Sequence, residues 1–387
     1  MSFSGLPLWQ AGFRPFFTLA CLSGLFLPVL WIGIYGGLLP PPQLGVSIVQ
    51  WHAHEMFFGF GWALLGGFLL TSTKNWVGIR GYHGRALVLL SAAWLLERLG
   101  MACQSLLAPW LFLLTNYLFL VSVVLMLGWT LVRYRARDSF GKDNYFFLLL
   151  LPLFILAKAL LLDADYYRVG VVMCLGLFRL AFLIMFERTL TQFMRNVFQA
   201  SILRDIRLDL AIKGLALLLV FAGLLPPTLA AVLELALAAM LLWRFACWKP
   251  QLALRRMDIG ISYLGYLALV AQLALSALDR MALTTLVGSV AVHLFSFGVM
   301  GLVIPAMITR ISKGHTGRKV MFEAGDKLVL WLMIAAFLLR LLGPQLLPSA
   351  YMIWLGLAAA SWSLGFALLA WRCLPYLWQP RLDGKEG

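Results

Sequence analysis

Twelve stretches of roughly 20 mostly apolar residues follow one another along this chain, separated by short charged or Pro- and Gly-rich breaks. They cover 16–39, 47–70, 86–104, 108–132, 145–162, 167–186, 209–224, 227–246, 259–278, 283–309, 326–345 and 350–373. A run of that length spans the hydrocarbon core of a bilayer as a helix, and in lipid a helix bonds all its own backbone groups. The pattern predicts an all-α polytopic membrane protein, a bundle of about twelve transmembrane helices forming one integral membrane domain over 1–387. Pro40-Pro41-Pro42, Pro226-Pro227 and Gly343-Pro344 supply turn chemistry between runs. The run 209–224 stands apart, being short and carrying Lys213 near its start.

Composition supports this reading. Hydrophobic residues make up 62% of the 387 and charged residues 12%, with a mean hydropathy of +0.90; a soluble domain carries about 25% charged residues. A soluble enzyme, a disordered chain and a disulfide-stapled secreted domain are excluded. The five cysteines, Cys21, Cys103, Cys174, Cys247 and Cys373, are odd in number and scattered. None belongs to a C-x-x-C pair, so an iron–sulfur cluster and a c-type haem find no attachment. No cleavable signal peptide is evident: Arg14 alone precedes the first apolar run, and no small-residue cleavage site follows it.

The net charge of +15, from 31 Lys and Arg against 16 Asp and Glu, would suggest nucleic acid in a soluble protein. Its distribution says otherwise. Of the basic residues outside the runs, 21 lie in the two termini and the loops after even-numbered runs, and one, Arg280, in the other loops. Basic residues are retained on the cytoplasmic side, so both termini are expected there and nucleic acid is not an expected partner.

Chemistry must come from few residues. Of five histidines, two sit in Trp51-His52-Ala53-His54-Glu55-Met56 at the start of the second run, by helical rise roughly 7–11 Å inside it. On a helix His52 and His54 diverge by about 200°, so one metal shared by both is disfavoured. Two adjacent sites, or one ligand and one hydrogen-bond partner, fit better. His52 shares a face with Glu55 and Met56, a donor set that suits copper; an interfacial histidine bonded to backbone is the alternative. His293 lies about 15 Å deep in the tenth run, where an ionisable group is a functional candidate and a neutral imidazole can serve a haem. Phe297, Met300 and Gly301 follow on its face, the glycine leaving room for a flat macrocycle. His315, in Lys313-Gly314-His315-Thr316-Gly317-Arg318, reads either as part of an anion-binding turn, for instance for a haem propionate, or as an ordinary basic loop. His83 reads as a turn histidine. Glu97-Arg98, Lys158, Arg179 and Glu234 are charges within runs; Glu97 and Arg98 each call for a partner on another helix, and Glu234 suits a proton relay or a protonated, hydrogen-bonded acid. No G-x-S-x-G, Walker loop, Rossmann fingerprint or H-E-x-x-H occurs, so hydrolase, nucleotide-driven and hydride-transfer chemistry have no support.

The segments LWQAGFRPFF, WHAHEMFFGFGWALLGGFLLTSTKNWVG and HLFSFGVMGLVIPAMITRISKGHTGR resemble the NnrS family in order and spacing. These are polytopic bacterial inner-membrane proteins that bind haem and copper and act in nitric oxide tolerance beside denitrification. The resemblance implies haem b and copper as cofactors and nitric oxide as ligand. It implies metal ligation by His52, His54, His293 and His315, with Arg318 beside a cofactor. Arg14 matches the first block without an implied role, and "FRLAFLIMFERTL" around Arg179 matches the family only loosely.

Three functions compete. The first is a haem–copper protein that binds nitric oxide and, as a reductase-type enzyme, turns it over with Glu55 as acid and electrons from an unidentified donor. The second is a non-catalytic metal-binding or sensing protein. The third is a twelve-span transporter, which lacks support from paired broken segments in corresponding halves. The oligomeric state is not legible. The Lys/Arg asymmetry predicts that reporters fused at Asp138 and at the C-terminus read cytoplasmic, while one near Pro41 reads periplasmic. A periplasmic C-terminus would contradict an even number of spans.

Overall fold

The structure, a computed structural model, describes residues 3–42 and 45–384. Each of the twelve apolar runs contains a helix: α1 Phe13–Tyr35, α2 Ile48–Val77, α3 Arg85–Ala102, α4 Pro109–Arg133, α5 Asp143–Leu162, α6 Tyr167–Phe198, α7 Ile206–Leu218, α8 Pro227–Cys247, α9 Met257–Arg280, α10 Val290–His315, α11 Ala324–Leu341 and α12 Tyr351–Trp378. Among the described residues there is no strand, and ten helices are long and apolar enough to cross a membrane. The other two are α3 and α7. α3 is 18 residues long but includes Arg85, Glu97 and Arg98. α7 has 13 residues and gives way to a 3-10 turn at Leu219–Phe221, so the apolar run 209–224 overstates its helical length. Large apolar side chains stand far out of the fold, Trp371 at 82% and Leu89 at 69% exposure, as in a multi-pass protein whose outer surface meets lipid rather than water.

Local chemistry sets the ends. Pro109 and Pro227 open α4 and α8 at a position whose N–H needs no partner. Ser47 and Gln50 cap α2 reciprocally: the Gln50 N–H donates to Ser47 Oγ, and the Ser47 N–H to Gln50 Oε1. Gly78, at φ +63°, closes α2 in the left-handed conformation that glycine adopts freely.

Contacts divide the chain into two compact units: Met1–Tyr167 with Ile308–Met321 and Phe366–Gly387, and Arg168–Met307 with Phe322–Gly365. In the first, α1 and α2 approach closely because two crossing positions lack a Cβ. A Cβ on Gly12 would lie 2.6 Å from Leu70 Cβ, and one on Gly67 2.5 Å from Phe16 Cβ. In the second, Gly265 of α9 admits Val303 of α10 in the same way. Helices in lipid associate by such close packing rather than by a hydrophobic drive. Gly67→Val should therefore destabilise the protein by about 1–3 kcal/mol and lower its unfolding temperature in detergent. Gly128→Val, at a position with nothing within 4 Å, should change it little. Equal shifts would contradict this account of the α1–α2 crossing.

Candidate functional site

α2 is regular as far as His54 and then widens into a π-helix over Glu55–Gly61, returning to α at Trp62. The Trp62 N–H reaches back to the Phe57 carbonyl, and the indole N–H of Trp94, on α3, donates to the Gly59 carbonyl at 3.1 Å. Gly59 gives the Arg98 guanidinium its place: a Cβ there would lie 2.6 Å from Arg98 Nη1 and push that group aside. Short π-turns inside α-helices concentrate at functional positions, and this one sets His54 and Glu55 facing α3.

His54 is fully buried among charges from three helices of the first unit, α2, α3 and α5. Its Nδ1 lies 3.1 Å from Glu55 Oε1 and its Nε2 3.4 Å from Glu97 Oε1. Arg98 bridges the two carboxylates, with Nε 3.1 Å from Glu55 Oε2 and Nη2 2.6 Å from Glu97 Oε1. Lys158 of α5 donates to Glu97 Oε1 and to the Asn116 carbonyl of α4, and its ammonium faces the Phe58 and Tyr117 rings at 5.1 Å each. With two carboxylates and two cations, the cage is neutral when His54 is neutral. The Glu55 contact then requires the proton on Nδ1, since a carboxylate oxygen only accepts. Glu97 and Arg98 do find partners on other helices.

The same device occurs in the second unit. α10 starts as an α-helix over Val290–His293, continues as a π-helix over Leu294–Gly301 and resumes at Leu302. His54-x-x-x-Phe58-Gly59 and His293-x-x-x-Phe297-Gly298 are one motif, each histidine standing immediately before the π-turn. Each imidazole lies against its own phenylalanine, with centroids 5.5 Å apart for His54–Phe58 and 6.0 Å for His293–Phe297. His293 Nδ1 lies 2.8 Å from the Ser289 carbonyl, while Arg340 Nη2 of α11 is 3.1 Å from Nδ1 and 3.4 Å from Nε2. One nitrogen cannot donate and accept at once. With the proton on Nδ1 the ring donates to the Ser289 carbonyl and turns the Nε2 lone pair toward Arg340; with the proton on Nε2, Nδ1 accepts from the Ser289 hydroxyl at 3.0 Å or from Arg340. The first is the tautomer that a histidine ligand of a metal commonly has.

The remaining candidates are dispersed. His52 is half-buried and stacks on Trp31 at 4.1 Å. Met56 is half-buried as well, but Glu55 is engaged by His54 and Arg98, which leaves His52 and Met56 as the donors of the expected copper set. His83 Nδ1 lies 2.9 Å from the Gly81 carbonyl in an exposed turn. His315 packs on Phe13 at 5.4 Å, and its carbonyl accepts from Arg381. Arg318 donates to Thr316 Oγ1 at 2.8 Å. Glu234 accepts from Ser276 at 3.0 Å and from Arg280 at 3.2 Å, as a charged, paired group does. Gly301 admits Trp362, whose ring would lie 2.6 Å from an added Cβ; its small size serves helix packing, not the close approach of a macrocycle expected above.

Among the described residues no group of three or more His, Cys, Asp or Glu is arranged to hold a metal ion. His293 would fit a haem in its Nδ1-protonated form, with Nε2 as the donor atom. His54 fits a dication poorly, because Arg98 and Lys158 already occupy the charge of Glu97. Sequence reasoning missed Arg340, Trp94 and Asn116 as neighbours of the histidines. The repeated H-x-x-x-F-G is the signal that could have paired the two elements.

A helical multi-pass chain with histidines set at π-turns in two units is the class these features define. The NnrS family model (NnrS protein) matches residues 7–381, and the chain belongs to that family. No curated protein matches it.

The cage makes a testable prediction. Lys158→Met leaves Arg98 as the one cation for the Glu55 and Glu97 carboxylates and should cost about 3–5 kcal/mol, read as loss of stability in detergent. Adding Glu97→Gln to Lys158→Met should recover much of that loss. A double variant as unstable as the sum of the single variants would contradict the pairing.

Proposed function

We propose that this protein binds nitric oxide at a b-type haem held by His293, in the cytoplasmic membrane of a bacterium with both termini inside. The observation that carries the proposal is the His293 geometry, an imidazole at the start of a π-turn with Nδ1 2.8 Å from the Ser289 carbonyl, so that with the proton on Nδ1 the donor atom to a metal would be Nε2. Membership of the NnrS family supports the nitric oxide context. The haem, when bound, supplies an open coordination position for a diatomic ligand. The chain's part is to place the Ser289 carbonyl and Arg340 beside the His293 ring.

Copper enters the proposal through His52 and Met56, one helical turn apart on α2. Binding without turnover is the reading favoured for catalysis. Glu55, the acid nearest the histidines of α2, has its two oxygens directed at His54 and Arg98, so it acts as the group that holds the His54 proton in place. Reduction of nitric oxide would require that contact to open and an electron donor to dock. NnrS proteins of this kind then serve as nitric oxide binders in nitrosative stress.

A reduced-minus-oxidised visible spectrum of the purified protein tests this. The wild type should show b-type bands, and His293→Ala should lose or shift its Soret band while still inserting in the membrane. His83→Ala should match the wild type. An unaltered Soret band in His293→Ala would contradict the assignment of the ligand.

A further inference from the structure

We propose that Arg14 is the centre of a binding site for a phosphate-class oxyanion in the first unit, independent of the haem reading. Arg14 stands in the first turn of α1 with 0% of its surface exposed. Its Nη1 donates to the Leu377 carbonyl at 3.0 Å and to the Gln379 carbonyl at 2.7 Å, at the end of α12. Nε and Nη2 have no hydrogen-bond partner among the described residues. Those two nitrogens form one edge of the guanidinium, the planar fork that takes two oxygens of a phosphate side by side.

The surroundings are cationic. Arg318 and Arg381 are near enough to act electrostatically on Arg14, and Lys74, Arg381 and Arg14 act on His315. Arg381 pairs with Asp383 at 2.7 and 2.9 Å and donates to the His315 carbonyl. The polar contacts of Arg318 are neutral: Thr316 Oγ1 at 2.8 Å, the Thr316 carbonyl at 3.5 Å and Gln379 Oε1 at 3.0 Å, with its guanidinium over the Tyr376 ring at 4.3 Å. Among the described residues, therefore, neither Arg14 nor Arg318 has a carboxylate partner. A buried guanidinium without a counter-charge is costly, and this one keeps its bidentate edge unused while its other end is tied down by two carbonyls. An oxyanion on that edge supplies the missing charge and the missing acceptors together. The headgroup of an anionic phospholipid and free inorganic phosphate carry the same chemistry.

The experiment uses the full chain, purified in a neutral detergent. Native mass spectrometry follows retention of phosphatidylglycerol against phosphatidylcholine, and phosphorus NMR follows titration with inorganic phosphate. The wild type should hold one phosphate-bearing molecule saturably, and Arg14→Gln should weaken it by about tenfold or more. Arg14→Lys, which keeps the charge and loses the fork, should fall between them. Preference for phosphatidylglycerol, undisturbed by phosphate, assigns the lipid headgroup; displacement of the lipid by phosphate assigns the free ion. If Arg14→Gln does not fold, Arg318→Gln takes its place, with the same direction of change expected. Wild-type protein that binds neither, or variants that bind as well as wild type, would overturn the proposal. So would loss of haem in Arg14→Gln with phosphate binding intact, which would give the site to a cofactor carboxylate instead.

Discussion

A charge buried in a protein that faces lipid has to be met by a counter-charge or polar groups beside it, because no water reaches it. That constraint organises the interior of both units. In the first, Glu55 and Glu97 are balanced by Arg98 and Lys158, and the contacts tie α2, α3, α4 and α5 together around His54. In the second, Glu187 of α6 and Asp209 of α7 are held by Arg204, Lys213 and Arg244, and the hydroxyl of Tyr266 on α9 accepts from Arg244. These networks explain how α3 and α7, the least apolar and the shortest of the twelve helices, are retained: each carries members of a buried ion cluster.

The π-turns convert this scaffold into possible chemistry. A widened turn releases backbone groups from the regular ladder and rotates the following face of the helix. In α2 it sets Gly59 under Arg98 and brings the Trp94 indole to a released carbonyl. In α10 it starts directly after His293 and contains the tightly packed Gly298 and Gly301. Two histidines in matching positions thus differ in surroundings. His54 is sealed within a balanced cage, whereas His293 is half-buried, between the Ser289 carbonyl and Arg340.

Much of the fold was legible because the apolar period and the Pro/Gly punctuation act locally. Pro109 and Pro227 open helices, and Gly78 closes one. Helix length at α7 was not legible, since apolar residues continue past the last helical turn into Leu219–Phe221. The candidate histidines were visible from their isolation in an apolar chain. Their partners were not: Glu97 and Arg340 lie 43 and 47 positions away from the histidines they meet, and no periodicity links residues on separate helices. Gly301 shows the converse error, a small residue read as room for a ligand where Trp362 fills the space.

The proposed function comes down to ligand binding: His293 would hold a haem that leaves a position for nitric oxide. Anaerobic titration of nitric oxide into the pre-reduced, purified protein, followed in the visible spectrum, tests it most directly. The account predicts a saturable shift of the Soret band complete at about one nitric oxide per haem. A reduced haem protein whose spectrum does not respond to nitric oxide would contradict it.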